Sequence, residues 1–239
     1  MSQKNNSDNL KRNILKELSK SYSSINNSYK YFKKLSKNKY KIIESANWIL
    51  DNLYLIEREY KNIKQSMGNE YFKALPTLNG NNKKKEVYDV PRIFHIAQNY
   101  INSSGEFNIK DVSDYINNIQ GIKSEEIISI SDDISNKDLL LNMSELWAFP
   151  LMLKINLILN LSQYIEELVL IQKSIVSGRN IAEKLIDNKN VEEYIEEDKY
   201  IDFFLKEFFI TLRNNSIDDS LGYKFLNEKS NIKGEFNKY

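Results

Sequence analysis

Few side chains in this sequence have the chemistry of a reaction centre. His95 is the only histidine, and it lies between Phe94 and Ile96 without an identifiable partner. Because imidazole titrates near neutral pH, one interpretation of His95 is a general base, but we favour a structural or surface histidine. Cysteine is absent, which excludes disulfides, thiolate zinc sites and cysteine nucleophiles.

The carboxylates form two adjacent pairs and one acidic run. Asp132 and Asp133, like Asp218 and Asp219, could hold a divalent ion with a sugar nucleotide, because such sites need closely placed carboxylates. Both pairs lie in polar sequence with no apolar strand before them, so we interpret them as loop carboxylates. Residues 192–198 suit a solvated helix face better than an acid–base pair, which would need a cleft and a raised pKa.

Signals for nucleotide and sugar binding are weak as well. The sequence contains no nucleophile elbow, P-loop or dinucleotide fingerprint. The lysines at 83–85 could contact phosphate, but no glycine-rich turn or helix start accompanies them, and we favour a solvated loop. Aromatic residues, 12% of the chain, could stack on sugar rings, although helical spacing assigns most of them to the core. We therefore predict no catalytic residue, no metal ligand and no cofactor, and we identify no small-molecule ligand.

The elements that would position any site are helices. Seven glycines and three prolines in 239 residues are too few for the tight turns of a sheet protein. Hydrophobic residues make up 41% of the chain and charged residues 28%, which is enough apolar surface for a folded core. We predict an all-α, bundle-like array of six to seven helices.

Apolar residues at spacings of three and four place these helices along the chain. The predicted ranges are 8–35 after a frayed segment at 1–7, 39–67, a helix from Pro91, a helix from Asn108 to Gly121, a long helix from Asn142, 190–214, and a short helix at 221–226. The long helix opens with a capping box formed by Asn142 and Glu145. We expect Pro150 to kink it and Gly178 to break it, and we interpret 121–138 as an irregular connection.

Charge divides the chain into a basic beginning and an acidic remainder. Residues 1–41 carry eleven lysines and arginines against two acidic residues, a net charge of +9, and the rest carries −8. Such a helix could contact an anionic membrane or nucleic acid, or dock on the acidic remainder. We favour a solvated or internally paired face and expect no specific nucleic acid partner. We divide the chain into a basic N-terminal helix at 1–38, a helical core at 39–214 and a tail at 215–239.

No segment has the pattern of a signal peptide or a membrane span. The first twenty residues lack a continuous apolar core, and the most apolar stretch, 146–161, is interrupted by Lys154, Asn156 and Asn160. The abundance of Asn, Lys and Ile resembles that of AT-rich bacterial genomes. We expect a cytoplasmic chain, for which a peripheral position at the inner face of a bacterial plasma membrane is one alternative.

Four short blocks, in the same order, resemble cyclic β-1,2-glucan synthases. Residues 46–57 (A-N-W-I-L-D-N-L-Y-L-I-E) are similar to the family pattern A-E-W-L-L-D-N-x-Y-L-I-x-E, and 71–76 (Y-F-K-A-L-P) to Y-Y-R-x-L-P. Residues 91–93 (P-R-I) resemble a P-R-V/I helix start, and 144–161 begin with S-E-L-W-A-F-P-L-M-L, similar to G-E-L-W-A-L-P-x-M-L, and end with N-L. The block residues that carry this match are Trp48, Asp51, Asn52, Tyr54, Glu57, Tyr71, Pro76, Pro91, Arg92, Glu145, Trp147, Pro150 and Asn160.

The resemblance implies a place in a large membrane enzyme that uses UDP-glucose to build a β-1,2-glucan. The blocks correspond to the helical region upstream of the membrane-embedded transferase, so we expect a non-catalytic accessory region that supports or regulates this transferase. The transferase would be downstream or separately encoded. No catalytic residue is carried over, and Ser144 and Leu159 replace a family glycine and glutamate. The alternative is a free-standing helical interaction protein that binds a partner helix or an anionic surface through its basic N-terminal helix.

The two tryptophans among the block residues are expected to be packing anchors. Trp48 and Trp147 each lie in a long apolar helix. A tryptophan buries a large apolar area, so helices centred on these residues would bury each other. Such packing would leave no room for a reaction centre.

The polar block residues need partners if their helix is buried. An unpaired buried polar group lowers the free energy of unfolding by ~1–3 kcal/mol. Asn52 and Glu57 would therefore need polar partners, and Arg92 or Lys154 could supply one. We hypothesise that Arg92 forms an ion pair with either Glu57 or Glu145 and ties two helices together.

Overall fold

Helices account for most of the described chain. The computed structural model describes residues 2–68, 72, 75–76, 90–103, 108–121, 140–187, 191–196 and 199–230. These residues form seven helices with defined bounds and no strand, which confirms the all-α class. The helices are α1 (Ser2–Lys37), α2 (Glu44–Ser66), α3 (Arg92–Ser103), α4 (Ile109–Gly121), α5 (Met143–Ile186), α6 (Ile201–Asn214) and α7 (Asp219–Lys229). None of the described helices combines the length and the apolar character that crossing a lipid bilayer requires.

The first two helices have other limits than predicted. Helix α1 begins at Ser2, so residues 2–7, expected to be frayed, are helical. It ends where Lys39 takes a φ of 60°, the left-handed conformation that closes many helices. In this turn the N–H of Tyr40 donates to the Leu35 carbonyl at 3.1 Å. Helix α2 starts after the turn, at 44 rather than at 39.

Helices α3 and α4 follow the sequence pattern closely. Helix α3 begins directly after Pro91, whose missing N–H suits a helix start. At the start of α4, the N–H of Asp111 donates to Asn108 Oδ1 at 2.8 Å, which confirms Asn108 as a cap. Helix α4 ends at Gly121 as predicted, and the connection expected after it, up to 138, lies outside the described residues.

Helix α5 is 44 residues long and passes through both residues expected to interrupt it. Its capping box is confirmed, because the N–H of Glu145 donates to Asn142 Oδ1 at 2.9 Å and the N–H of Asn142 donates to Glu145 Oε2 at 3.0 Å. The kink at Pro150 stays a prediction. The break at Gly178 is wrong, since glycine serves close packing there: a Cβ would lie 2.4 Å from the carbonyl oxygen of Phe204.

The helix predicted at 190–214 forms only in its second half, as α6. The described residues 191–196 are not helical. The N–H of Ile195 donates to the Lys229 carbonyl at 2.8 Å, and Ile195 forms an isolated β-bridge with Ser230. Because Val191 and Ile195 are buried and the backbone of Ile195 bonds to the end of α7, tertiary contacts override the helical pattern here.

Contacts group the chain into two units. Unit 1 comprises residues 1–26 and 52–163, and unit 2 comprises 27–51 and 164–239. This grouping differs from the predicted division into 1–38, 39–214 and 215–239. In place of a separate basic arm, α1 contributes Leu18 to the buried residues of unit 1 and Phe32 to those of unit 2.

Each unit has its own apolar core. Unit 1 buries apolar residues of five helices, among them Ile14, Leu18, Ile56, Ile63, Ile93, Ala97, Ile119, Ala148, Met152 and Ile155. In unit 2, one cluster joins α5, residues 191–195, α6 and α7. Phe225 and Leu226 of α7 belong to this cluster, so this part of the predicted tail is core.

Candidate functional site

The most deeply buried charges among the described residues form one ion pair in unit 1. Arg92 Nε donates to Glu145 Oε1 at 2.9 Å, and Arg92 Nη2 donates to Glu145 Oε2 at 2.6 Å. The side chains are 8% and 0% exposed. Two parallel N–H···O bonds between a guanidinium and a carboxylate make the strongest geometry for such a pair. The alternative that paired Arg92 with Glu145 is confirmed, whereas Glu57 binds Lys61 at 2.7 Å.

Local sequence places both partners at helix starts. Arg92 is the first residue of α3, directly after Pro91, and Glu145 is the third residue of α5 and part of its capping box. A carboxylate is favoured in the first turn of a helix, where backbone N–H groups and the helix dipole face it. The Glu145 carboxylate therefore accepts from a guanidinium and from a backbone N–H together.

Arg92 also donates hydrogen bonds to two backbone carbonyls of neighbouring segments. Arg92 Nη2 donates to the Leu140 carbonyl at 3.1 Å, and the N–H of Arg92 donates to the Pro76 carbonyl at 2.8 Å. Residue 76, the start of α3 and the segment 140–145 thus meet at one buried point. With their polar atoms engaged in this way, Arg92 and Glu145 can hold chain segments together but present no group aimed at a ligand.

Two buried amides that the sequence analysis did not single out have similar roles. In unit 1, Asn156 Nδ2 donates to the Phe94 carbonyl at 3.2 Å and to the Met152 carbonyl at 3.0 Å. In unit 2, Gln172 Oε1 accepts from the Ile43 N–H at 3.0 Å. Gln172 Nε2 donates to the Lys41 carbonyl at 3.1 Å. A polar residue inside an apolar helical row was the signal that could have identified both.

His95 has surroundings typical of a structural histidine. It is half-buried on α3, and its ring meets the Phe94 ring edge to face at 5.9 Å between centroids. Burial lowers the pKa of His95, and a hydrogen bond with Gln98 partly offsets this effect. The imidazole is therefore neutral at neutral pH.

The aspartate pair at 218–219 serves helix α7. Asp218 caps it by accepting from the Ser220 N–H at 2.7 Å. A hydrogen bond from the Ser220 side chain, together with this backbone bond, holds the pKa of Asp218 below its usual range. Asp219 binds Arg213 at 2.7 Å. In the described part of the chain, no group of three or more His, Cys, Asp or Glu side chains could hold a metal ion. Asp132 and Asp133 lie outside that part.

The prediction that the tryptophans are packing anchors is wrong. Trp48 is 49% exposed and Trp147 is 75% exposed. On α2 the buried row is Ala46, Ile49, Ile56 and Ile63, and Trp48 lies about 100° around the helix from Ile49. Helix α5 buries Ala148 and Phe149 and leaves Trp147 on the opposite side.

Exposed apolar side chains follow one face of α5 in unit 1. We call this the Trp147 face; it consists of Met143, Trp147, Pro150 and Leu157, spaced by four, three and seven residues. Met143 is 68% exposed. Lys154 lies on the same face and binds Glu59 of α2 at 2.9 Å. On α2, Tyr54 is also exposed.

The described block residues thus fall into three burial classes. Pro91, Arg92 and Glu145 are buried, and Pro76, Asn52, Glu57 and Asn160 are half-buried. Asp51, Tyr54, Trp48, Trp147 and Pro150 are exposed. Tyr71 lies outside the described residues.

No protein-family model matches the chain, and no curated protein matches it either. The resemblance to cyclic β-1,2-glucan synthases therefore rests on the four sequence blocks alone and stays a prediction.

Proposed function

We propose that this chain is a non-catalytic helical accessory region of a cyclic β-1,2-glucan synthase-like glycosyltransferase. In this role it supports or regulates a membrane transferase that uses UDP-glucose. The observation that carries the proposal is the contact between residues of three separate blocks. Arg92 bonds to Glu145 through its side chain and to the Pro76 carbonyl through its backbone N–H. Residues of three blocks therefore lie at one junction of unit 1.

The exposed block residues support a contact with another protein surface. A large apolar side chain on a helix surface contributes nothing to the core, and contiguous patches of such side chains mark interaction sites. Tryptophan and methionine are also enriched in interfaces, and the Trp147 face contains both. We therefore assign the Trp147 face to the transferase, its partner in this proposal.

Reconstitution tests this proposal directly. A cyclic β-1,2-glucan synthase transferase region from the same genome is placed in vesicles with UDP-[14C]glucose, with and without the chain. We expect the chain to sediment with the transferase vesicles and to change the amount of glucan made, while the chain alone incorporates no label.

The Trp147 face supplies the variant for this experiment. Trp147→Ala should reduce co-sedimentation strongly, whereas Phe203→Ala, which removes an exposed aromatic on α6, should leave it unchanged. Label incorporated by the chain alone would refute the non-catalytic role. The vesicles consist of uncharged phosphatidylcholine, so that the lysines of α1 cause no background binding. Equal sedimentation with empty and transferase-containing vesicles would then refute the partnership.

A further inference from the structure

Unit 2 contains an open cleft of about 1000 Å³. It is bordered by Tyr31 of α1, by residues of α5 from Leu170 onward together with Asp187, and by residues 193–196. Tyr200, Ile201 and Phe204 complete the border at the start of α6. Ligand clefts in proteins measure on the order of 300–1,000 Å³, so this one has room for more than a single small metabolite.

Three tyrosines line the cleft and provide aromatic surface with hydroxyl groups. Tyr194 is 58% exposed, so its ring is accessible to a ligand in the cleft. Tyr31 lies on α1, and burial raises its pKa, so its hydroxyl keeps a proton to donate. The hydroxyl of Tyr200 donates to Glu167 Oε1 at 3.3 Å, which fixes the ring at the cleft edge.

The charged groups of the cleft are largely paired within the protein. Glu193 binds Lys184, and Glu183 binds Arg179 at 2.7 Å. Charges that are already paired offer little attraction to an ionic ligand, because binding it would break an existing pair. Four lining carboxylates against two ammonium groups also disfavour an anion such as a sugar nucleotide.

Polar neutral groups complete the lining. Asn180 accepts from the Tyr40 hydroxyl at 3.0 Å through Oδ1, which turns its Nδ2 donors to other partners. Ser177 adds a hydroxyl on the exposed side of α5. The cleft is therefore rich in hydrogen-bonding groups, carries a small net negative charge and is partly aromatic.

We infer that this cleft binds a neutral oligosaccharide. A sugar ring has an apolar face that packs on an aromatic ring and a rim of hydroxyls that exchange hydrogen bonds with amides, hydroxyls and carboxylates. Tyr194 is the surface for ring packing, and Asn180 and Ser177 provide the polar contacts. The ligand class follows from the cleft itself; the choice of a β-1,2-linked glucan as the first probe rests on the proposed function.

Calorimetric titration of the full chain tests the inference. The probes are a linear β-1,2-gluco-oligosaccharide, a maltohexaose of similar size, UDP-glucose and spermine. We expect saturable binding of the β-1,2-linked probe and no measurable binding of UDP-glucose or spermine.

Tyr194→Ala is the decisive variant, since Tyr194 is exposed and its loss should leave the fold intact, as checked by circular dichroism and thermal melting. Loss of ring packing should weaken oligosaccharide binding about tenfold. Phe203→Ala, an exposed aromatic that does not line the cleft, should bind as the unmodified chain does.

The outcomes separate this inference from the proposed function. Equal, Tyr194-dependent binding of both oligosaccharides would support the cleft and count against a glucan-synthase role. Absence of oligosaccharide binding, binding that Tyr194→Ala does not weaken, or preference for spermine or UDP-glucose would overturn the inference. The transferase experiment, which depends on the Trp147 face in unit 1, would be unaffected by any of these results.

Discussion

At the residue scale, the Arg92–Glu145 pair illustrates why a buried charge needs every available partner. Removing two charges from water is costly, and their mutual attraction offsets this cost only when the remaining polar atoms are also hydrogen-bonded. Here the carboxylate bonds to the Asn142 N–H as well, and the guanidinium bonds to the Leu140 carbonyl. Removing either partner should therefore lower the free energy of unfolding strongly.

Arg92→Ala should lower the stability of the chain markedly. Leaving one partner of a buried pair alone costs ~3–5 kcal/mol. For a chain of this size that corresponds to a fall in Tm of about 10 °C. Differential scanning calorimetry measures it, with Lys61→Ala as the control, because the exposed Lys61–Glu57 pair should contribute less than ~1 kcal/mol.

The double variant Arg92→Met with Glu145→Gln separates charge from geometry. Glutamine at position 145 can still form the capping box, and methionine fills much of the arginine volume. We expect the double variant to regain part of the stability lost in Arg92→Ala. An unchanged Tm in Arg92→Ala would contradict the structural role of the pair.

His95 should make stability fall on mild acidification. Because burial lowers its pKa from the ordinary 6.5, the unfolded chain takes up a proton at a higher pH than the folded chain. The stabilisation is complete above that ordinary value and is lost as the pH falls through the lower, folded pKa. Thermal melts at pH 7 and pH 5 should show a smaller decrease for His95→Gln than for the unmodified chain. Equal decreases would contradict the assignment of a buried, neutral imidazole.

At the element scale, spacing predicted which helical rows are buried, and tertiary contacts decided the rest. Ile49, Ile56 and Ile63, which are spaced seven residues apart on α2, are buried as this periodicity predicts. Periodicity places Trp48 about 100° around the helix from Ile49, but it could not show that this side of α2 stays exposed. In the same way, the sequence left two acidic partners open for Arg92, and only the packing of α3 against the start of α5 distinguishes them.

The misplaced helix limits have a related cause. A glycine in a helical sequence often ends the helix when no other element packs on it. It stays within the helix when its missing side chain lets another backbone approach closely. Gly178 is of the second kind, and the approaching backbone, at Phe204, is 26 residues away in sequence. Residues 191–196 are not helical, and Ile195 among them forms a β-bridge with Ser230. Ser230 is even farther away in sequence than Phe204 is from Gly178.

Gly178→Ala therefore should destabilise the chain although alanine is the better helix former. Alanine gains roughly 1 kcal/mol in helix propensity, but its Cβ would lie 2.4 Å from the Phe204 carbonyl oxygen, and overpacking of this kind costs ~1–3 kcal/mol or more. A denaturant titration should show a lower midpoint. Gly68→Ala is the matched control, because nothing lies within 4 Å of a Cβ there. A higher midpoint for Gly178→Ala would show that α5 and α6 do not approach so closely.

At the scale of the whole molecule, the basic beginning of the chain is built into the fold. Helix α1 buries Leu18 in unit 1 and Phe32 in unit 2, and its lysines from Lys16 to Lys37 occupy the exposed side of the helix. Deleting residues 1–41 would remove core residues from both units. A loss of binding could then come either from the lost charge or from the lost structure. Charge reversal on the exposed side is the cleaner test of contact with an anionic surface.

If the exposed lysines of α1 attach the chain to an anionic surface, the chain should bind vesicles containing phosphatidylglycerol at low salt. Each basic residue near an anionic surface contributes about 1 kcal/mol, and the attraction is screened within a Debye length of ~10 Å at 0.1 M salt. Lys30→Glu combined with Lys34→Glu and Lys37→Glu reverses three exposed charges without touching the buried face of the helix. Co-sedimentation with these vesicles should be lost in this variant and at high salt, and should be absent with uncharged phosphatidylcholine. Retention of the charge-reversed chain on anionic vesicles would assign the attachment to another surface and leave the lysines of α1 as ordinary solvated charges.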